Sequence, residues 1–326
     1  MPTQPEDRPG KLLNRKYELI ERVGRGGMAV VWRGHTHGAA GFQRVVAIKR
    51  MDPGFMNHGE VVQMFVEEAR VCAALRHPNI VQIHDFGIDE HGSHYLVTEW
   101  VEGLHFGDYL RAFGLAGEKT PWPLVTLAIA DTLRALDAAH NRRDAHGQLA
   151  QVLHRDVTPP NILLDELGIA KLADFGMARA MDRSRMTRPD IVKGKLSYLA
   201  PELLLGDPPS PQSDLFGLGV VMWEALAGER LFDSATDLGV IKLVREARVP
   251  LIGMRRPDLP VGLTQLVHRT LERDPGRRPR SAREMLSELT QVLRVLPSPP
   301  DSPQFAESIA LARKRLLAEP DRAELG

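Results

Sequence analysis

The sequence predicts an α+β protein whose strands come first and whose helices follow. Up to about residue 100 the chain holds short strand-like stretches, interrupted by one glycine-dense turn and one stretch of helical spacing. From Gly103 onward the apolar residues recur at helical intervals. Strand patterns and helix patterns that are segregated along a chain indicate an α+β fold.

Composition and charge are those of an ordinary globular protein. Lysine plus arginine and aspartate plus glutamate both total 42, which favours neither a nucleic-acid partner nor a membrane-surface protein. The longest apolar stretch, residues 215–223, is too short to span a bilayer, and the first residues hold no apolar signal core. The single cysteine, Cys72, excludes a disulfide framework. We therefore expect a cytoplasmic protein without a membrane segment.

The pattern divides the chain into a tail, one large domain and a C-terminal appendage. Residues 1–16 are rich in proline and charge and predict a disordered tail. The domain spans residues 17–296, with a strand-rich part at about 17–100 and a helical part at about 104–296. Residues 297–326 predict a proline-rich linker followed by a short amphipathic helix.

A glycine-dense turn follows the first predicted strand, which begins at Tyr17 and ends at Val23. The turn has the sequence Gly24-Arg25-Gly26-Gly27-Met28 and leads into a second strand. Glycines let backbone N–H groups approach phosphate oxygens closely, so this turn is a candidate phosphate-binding loop. A plain hairpin turn is the alternative, since a glycine cluster is typical of both.

Lys49 ends an apolar strand, and an isolated lysine at a strand end is usually a solvated charge. Residues 60–75 follow with helical apolar spacing. Because a helix turns about 100° per residue, Glu68 falls beside Ala69 on the inward face of this helix, and the adjacent Glu67 does not. Glu68 is therefore the glutamate of this helix that can face the strands.

The strongest signal is His154-Arg155-Asp156-Val157-Thr158-Pro159-Pro160-Asn161, followed by Asp174-Phe175-Gly176. A carboxylate can orient a hydroxyl and accept its proton, while an amide oxygen and a second carboxylate hold Mg²⁺ against the phosphates of a nucleotide. Asp156, Asn161 and Asp174 supply these three groups. Asp and Asn are also common turn formers, but turns alone do not explain the joint spacing.

Residues 17–296 resemble the protein kinase family, in particular its bacterial serine/threonine members of eukaryotic (Hanks) type. The features that carry the resemblance are the glycine turn, Lys49, Glu68, H-R-D-x-x-x-x-N, D-F-G, Ala200-Pro201-Glu202, Asp214 and Arg278, in that order. The resemblance implies a bilobal kinase-like fold, with a small, mainly antiparallel β N-lobe that carries one key helix and a larger, mainly helical C-lobe. It also implies transfer of the γ-phosphoryl group of ATP, with Mg²⁺ or Mn²⁺, to serine or threonine hydroxyls of protein substrates.

The resemblance also implies roles for individual residues. Asp156 is the catalytic aspartate, Lys49 paired with Glu68 contacts the phosphates, and Asn161 and Asp174 hold the metal. The residues implied to form the nucleotide site are Val23, Gly24, Arg25, Gly26, Gly27, Met28, Val31, Ala47, Lys49, Thr98, Glu99, Val101 and Leu163. The residues implied in regulation, through autophosphorylation of an activation segment by self-association, are Arg155, Ser184, Thr187 and Ser197. In this role Arg155 is the cation that binds an added phosphate.

Three residues depart from the family pattern. Thr158 stands where a lysine usually contacts the γ-phosphate, Ala29 replaces the third glycine of the turn, and Lys195 stands where serine/threonine kinases often carry threonine. Losing one positioned donor costs on the order of 3 kcal/mol, although the Thr158 hydroxyl can still donate one hydrogen bond. A nucleotide-binding pseudokinase scaffold is therefore the alternative to an active kinase. A small-molecule phosphotransferase is a third hypothesis, against which Glu202 and Arg278 count.

Overall fold

The computed structural model describes residues 7–26, 29–56, 58–175 and 194–319, with Pro53, Met64 and Glu68 described in their backbone only. The described residues form two compact units. The first unit contains the residues up to Arg76 together with Val81–Trp100, and the second contains His77–Ile80 together with the residues from Val101 onward. This division separates the strand-rich part of the sequence from the helical part.

The first unit is built on a six-stranded antiparallel sheet with the strand order β1-β2-β3-β4-β6-β5. Its strands are β1 (Leu12–Leu13), β2 (Tyr17–Arg25), β3 (Ala29–His37), β4 (Gln43–Met51), β5 (Ile83–Ile88) and β6 (His94–Glu99). Leu19, Val46, Ile48 and Val97 are fully buried on one face of this sheet. The alternation of apolar and polar residues that predicted the strands therefore separates the core from the surface.

One helix, α1 (Gly59–Ala73), belongs to the same unit. Its apolar positions Val61, Phe65, Ala69 and Cys72 are buried, as their helical spacing predicts. Phe65 contacts the ring of Phe86 on β5, with the ring centroids 6.1 Å apart. The helix therefore packs on the sheet through a single apolar stripe.

The N-terminal segment corrects the prediction of a disordered tail over residues 1–16. Residues 7–16 are ordered, β1 pairs with β2, and Leu13 is fully buried. The Asp7 carboxylate accepts from Arg50 at 2.9 Å, and the buried Arg50 guanidinium also donates to Asp89 at 2.7 Å. Composition failed here because it averages over a segment, whereas one buried leucine and one ion pair hold the backbone in place.

The second unit is mainly helical and carries a small antiparallel sheet with the order β7-β8-β9. Its strands are β7 (Gly103–His105), β8 (Ile162–Asp165) and β9 (Ala170–Leu172). Its helices are α2 (Phe106–Leu115), α3 (Trp122–His140), α4 (Pro211–Ala227), α5 (Asp237–Glu246), α6 (Ile252–Arg255), α7 (Val261–Thr270), α8 (Ala282–Arg294) and α9 (Ser302–Leu317). None of the helices in the described part of the chain combines the length and the hydropathy that a membrane span needs.

The prediction of helix from Gly103 onward was wrong for the first three residues, which form β7. A Cβ atom at Gly103 would lie 1.8 Å from the carbonyl oxygen of Leu164 on β8. Only glycine allows the two backbones to approach this closely. The helical pattern begins one residue after β7, with α2 at Phe106.

Helix α9 packs against α2 of the second unit. Phe305, Ile309 and Ala312 are buried, and the rings of Tyr109 and Phe305 meet edge to face with centroids 5.6 Å apart. The Tyr109 hydroxyl lies 2.8 Å from Ser308 Oγ. Burial raises the pKa of Tyr109 to about 12, so this hydroxyl keeps its proton at neutral pH. The C-terminal helix is therefore part of the folded second unit.

Tyr109→Phe is expected to lower the free energy of unfolding by about 0.5–1.5 kcal/mol, because it removes one buried hydrogen bond and keeps the ring contact. Urea unfolding of the whole chain measures this change. Ser308→Ala is expected to have a comparable or larger effect, since it leaves the tyrosine hydroxyl buried without that partner. The double variant should cost less than the sum of the two single variants. Additive costs would contradict the contact.

Candidate active site

The backbone of the loop that carries Asp156 is fixed by a buried carboxylate from α4, Asp214. Its oxygens accept from the backbone N–H groups of His154 at 2.9 Å and Arg155 at 2.7 Å, and from His140 Nε2 at 2.8 Å. Burial alone would raise the pKa of Asp214, but the hydrogen bond and charge of His140 outweigh it and lower the pKa. The carboxylate therefore stays ionised and holds Arg155 at a φ of 67°, which non-glycine residues rarely adopt.

His154 links this loop to the segment that carries Asp174. Its Nδ1 accepts from the backbone N–H of Asp156 at 3.2 Å, and its Nε2 donates to the carbonyl oxygen of Ala173 at 2.8 Å. Complete burial lowers the pKa of His154, so the ring is neutral and can accept on one nitrogen while it donates from the other. The ring also meets Phe175 edge to face, with centroids 4.6 Å apart. The histidine of H-R-D therefore acts as a structural bridge.

Asp156 is buried, with 8% of its surface exposed, and its carboxylate has two donors. Asn161 Nδ2 donates to Asp156 Oδ2 at 3.0 Å and to the Asp156 backbone oxygen at 2.7 Å. Lys195 Nζ donates to the same Oδ2 at 2.5 Å. These bonds fix the carboxylate in one orientation, as a group that must accept a proton at a defined place requires.

The two candidate metal ligands lie on neighbouring backbone segments. The Ala173 N–H donates to the Asn161 carbonyl oxygen at 2.8 Å, so Asp174 begins directly beside that residue. Because the Asn161 amide nitrogen is bonded to Asp156, its Oδ1 is the side-chain atom left to bind a cation. Asp174 has a φ of 62°, a further rare backbone conformation at this loop. The structure thus brings Asp156, Asn161 and the backbone of Asp174 together.

Glu202 and Arg278 form a further buried ion pair among the described residues of this unit. The two terminal guanidinium nitrogens of Arg278 each donate to one carboxylate oxygen of Glu202 at 2.7 Å. Ser213 Oγ also donates to Glu202 at 3.0 Å. Because Ser213 lies on α4, and Arg278 also donates to the Gln212 carbonyl oxygen at 3.0 Å, these contacts of Glu202 tie the segment that follows Lys195 to the start of α4.

In the first unit, Lys49 lies on β4, opposite Val31 on β3 and Leu96 on β6, and only 7% of its surface is exposed. It is therefore not the solvated edge charge that a strand-end lysine usually is. The side chain of Glu68, its predicted partner on α1, lies outside the described residues. Glu67, the competing candidate, is exposed and pairs with Arg70 at 3.2 Å, as an outward-facing residue does.

The glycine turn joins β2 to β3 and is closed by the Gly26 N–H, which donates to the Ala29 carbonyl oxygen at 2.7 Å. Gly27 and Met28 lie outside the described residues. A Cβ atom at Gly24 would meet no atom within 4 Å, and Val23 beside it is 46% exposed. The described part of the turn therefore has open space over its backbone.

The remaining candidates for nucleotide binding lie on β4, β6 and β8. Ala47 on β4 stands opposite Thr98 on β6, and the Thr98 hydroxyl donates to the Glu99 carbonyl oxygen at 3.2 Å. Val101 follows β6 and is half-buried, and Leu163 lies on β8 opposite His105 of β7.

The predicted regulatory residues are only partly described. Ser184 and Thr187 lie outside the described residues, as does Gly176. Ser197 is 5% exposed, and its hydroxyl donates to the Phe232 carbonyl oxygen at 2.9 Å. The structure therefore argues against Ser197 as a phosphorylation site, because a kinase cannot reach a buried hydroxyl. The polar residues that precede Ser197 in the sequence are typical of an exposed loop, so the sequence did not indicate that Ser197 is buried.

Sequence reasoning missed the contact of Lys195 with Asp156. It treated Lys195 and Thr158 as separate departures from the family pattern. A signal was present, since one position of the pattern lost a lysine while another gained one. Only the folded chain shows that the gained cation reaches the catalytic loop.

Residues 17–289 match the protein kinase domain. The chain is 38% identical to the tyrosine-protein kinase MasK of Myxococcus xanthus over 79% of this chain and 40% of MasK. It is 35% identical to the serine/threonine-protein kinase PknA of Mycobacterium tuberculosis over 84% of this chain and 60% of PknA. It is 31% identical to PrkC of Bacillus subtilis, a serine/threonine-protein kinase, over 86% of this chain and 41% of PrkC.

The fold is similar to the crystal structure of the PknI kinase domain of Mycobacterium tuberculosis. The TM-score is 0.64 at 25% identity, and the match covers 88% of this chain and 100% of that chain. This likeness confirms the predicted fold class of a strand-rich N-terminal part and a helical C-terminal part. The chain spans 40% to 60% of the length of the three curated relatives named above.

Proposed function

The chain belongs to the protein kinase family, and from that premise we propose that it is an active serine/threonine protein kinase that uses ATP and Mg²⁺ or Mn²⁺. The observation that carries this proposal is the setting of Asp156. Its carboxylate is buried, and Asn161 and Lys195 hold it on one oxygen. A second buried carboxylate, Asp214, fixes the backbone of the same loop by accepting from the N–H groups of His154 and Arg155.

The donor set fits a divalent metal ion that is shared with a nucleotide. Among the described residues, no three His, Cys, Asp or Glu side chains cluster as a complete metal site. Mg²⁺ in phosphotransferases takes only one or two protein oxygens and completes its shell with phosphate oxygens and water. Asn161 Oδ1 and the Asp174 carboxylate would provide the protein oxygens. When bound, the metal neutralises charge on the phosphates.

The proposed step is an in-line transfer. The acceptor hydroxyl oxygen forms a bond to the γ-phosphorus, the bond from that phosphorus to the bridging oxygen breaks, and its electron pair stays on the ADP oxygen. The hydroxyl proton goes to the Asp156 carboxylate. Within the chain, Asp156 orients the acceptor and Asn161 holds Asp156.

The first unit supplies the groups that we propose to bind the phosphates of the nucleotide. Lys49, nearly buried on β4, would contact the α- and β-phosphates with Glu68 as its partner. The glycine turn that begins at Gly24 would cover the phosphates through its backbone N–H groups. The residues proposed to surround the base are Val23, Val31, Ala47, Thr98, Glu99, Val101 and Leu163.

A transfer assay tests the proposal. The purified chain is incubated with γ-labelled ATP, Mg²⁺ and a basic acceptor protein, and phosphorylated residues are mapped by mass spectrometry. Label is expected on serine or threonine, of the acceptor and of the chain itself, and chelation of Mg²⁺ should abolish it. Absence of label while ATP still binds would support the pseudokinase scaffold instead.

A tyrosine acceptor is the second candidate, and the relationship to MasK favours it. MasK is called a tyrosine-protein kinase and has the highest identity, 38%, of the three relatives described above. The same mass-spectrometric map separates the two acceptor classes. Phosphotyrosine without phosphoserine or phosphothreonine would decide for the second candidate.

The partners that follow from this proposal are protein substrates and a second copy of the chain, which would phosphorylate the activation segment in trans. Ser184 and Thr187 are the proposed acceptors, and Arg155 is the proposed cation that binds the added phosphate. We place this activity in the cytoplasm, without a nucleic-acid partner. A concentration-dependent rate of self-labelling would support transfer between two copies.

A further inference from the structure

We propose that Lys195 is a positioning residue for phosphoryl transfer, whose ammonium group orients Asp156 and supplies the positive charge that Thr158 does not carry. This inference rests on the proposed kinase function. The residue that we assign to this role, Lys195, lies 39 positions after Asp156 in the sequence. The neutral side chain of Thr158, two residues after Asp156, cannot provide that charge.

The geometry of the contact favours a functional ion pair over a chance surface contact. Lys195 Nζ lies 2.5 Å from Asp156 Oδ2, and the two side chains are 32% and 8% exposed. An ion pair between exposed side chains contributes little, whereas one that is largely shielded from water interacts more strongly. Such a pair adds little to the free energy of folding, because the cost of removing the two charged groups from water offsets their attraction. Stability alone therefore does not account for it.

The two described donors to the Asp156 carboxylate bond to the same oxygen, which leaves the other oxygen for the substrate. Within the described part of the chain, Lys195 Nζ and Asn161 Nδ2 donate to the same atom, Asp156 Oδ2. The second oxygen, Oδ1, is then the one that an acceptor hydroxyl can approach. A fixed Oδ2 therefore sets the direction in which Oδ1 accepts the proton.

The backbone around Lys195 is well placed to hold this side chain. Leu196 and Tyr198 are buried, and the Tyr198 hydroxyl donates to the Glu224 carboxylate at 2.6 Å. Ser197 is bonded to the Phe232 carbonyl oxygen at 2.9 Å. The ammonium group thus reaches Asp156 from a segment with its own attachments to the helical unit. Orientation of Asp156 depends in consequence on the fold of this segment as well as on the catalytic loop.

The opposite possibility is that the Lys195 ammonium group inhibits transfer, because its contact with the Asp156 carboxylate prevents the acceptor hydroxyl from binding there. The two roles predict opposite effects of removing the charge. If Lys195 positions Asp156, its removal slows transfer. If Lys195 blocks Asp156, its removal accelerates transfer.

The test compares Lys195→Thr, Lys195→Arg and the exchange variant Thr158→Lys/Lys195→Thr in the whole chain, with labelled ATP and Mg²⁺. Lys195→Thr is expected to lower kcat about 100-fold, because a positioned cation at the reacting groups is lost, with the Kd for ATP nearly unchanged. Lys195→Arg should retain most of the activity, since it keeps the charge. The exchange variant should recover at least about tenfold over Lys195→Thr, because the cation returns to Asp156 from position 158.

Three outcomes would overturn the inference while the proposed function stands. One is that Lys195→Thr keeps kcat within about twofold of the original chain, which is far below the expected loss. The second is that Lys195→Thr transfers faster. The third is that Lys195→Arg is as slow as Lys195→Thr, which would show that the charge is not what matters. Thr158 is buried, so a lysine at that position can prevent the exchange variant from folding. In that case the comparison of Lys195→Arg with Lys195→Thr tests the inference. If the original chain transfers no phosphate at all, the proposed function fails first, and the two failures are distinct.

Discussion

Asp156→Asn is expected to lower kcat for phosphoryl transfer by about 10²- to 10⁴-fold, which is the range that a positioned general base contributes. An asparagine at this position has nearly the same shape, and its oxygen can still accept from Asn161 and Lys195. It cannot accept the proton of the acceptor hydroxyl, because an amide is far less basic than a carboxylate. The Kd for ATP is expected to stay nearly constant, since no phosphate contact is assigned to this residue.

The control for this variant is Asp144→Asn. Asp144 lies in the polar segment of residues 141–153, between α3 and the H-R-D sequence, and its Oδ1 accepts from the backbone N–H groups of His146 and Gln148 at 2.8 and 3.0 Å. We expect it to change the transfer rate little, since it lies in an exposed turn and has no role in the site. Equal rates for Asp156→Asn and the original chain would refute the role of Asp156. Equal losses for both aspartate variants would indicate a general effect on folding.

The sequence alone predicted the order of elements and the loop that carries the site. Alternation of apolar residues located the strands of the first unit, and helical spacing located α1. The spacing of Asp156, Asn161 and Asp174 indicated three groups that act together, and the backbone bond from Ala173 to Asn161 brings their segments side by side. Local patterns succeed here because each depends on residues close together in the chain.

The misses share a physical cause, which is a contact between residues far apart in the sequence. Strand β7 exists because Gly103 lets the backbone approach Leu164, and a helical pattern around it concealed this strand. Residues 7–16 are ordered because Leu13 enters the sheet core. The contact of Lys195 with Asp156 joins two loops whose approach only the fold of α4 and its neighbours determines. Composition and periodicity carry no information on such pairs.

Arg278 illustrates how much one long-range pair contributes. Its five N–H donors, the full complement of a guanidinium group, are all used. They bond to the Glu202 carboxylate and to the backbone oxygens of Gln212, Glu272 and Arg273, at distances from 2.7 to 3.1 Å. The side chain is fully buried and also lies over the ring of Phe216, 4.8 Å from its centroid. No surface ion pair of the described residues is satisfied in this way.

Arg278→Met is therefore expected to lower the free energy of unfolding by about 3–5 kcal/mol, because it leaves the Glu202 carboxylate buried without its cation. Urea unfolding followed by circular dichroism measures the change. The matched control is Arg283→Met, which breaks the exposed pair with Asp137 at 3.0 Å and should cost no more than about 1 kcal/mol. Glu202→Gln in the Arg278→Met background should recover part of the loss, since it removes the buried charge. If the two methionine variants cost the same, the buried pair would be no more than another surface contact, and the segment after Lys195 would need a different attachment to α4.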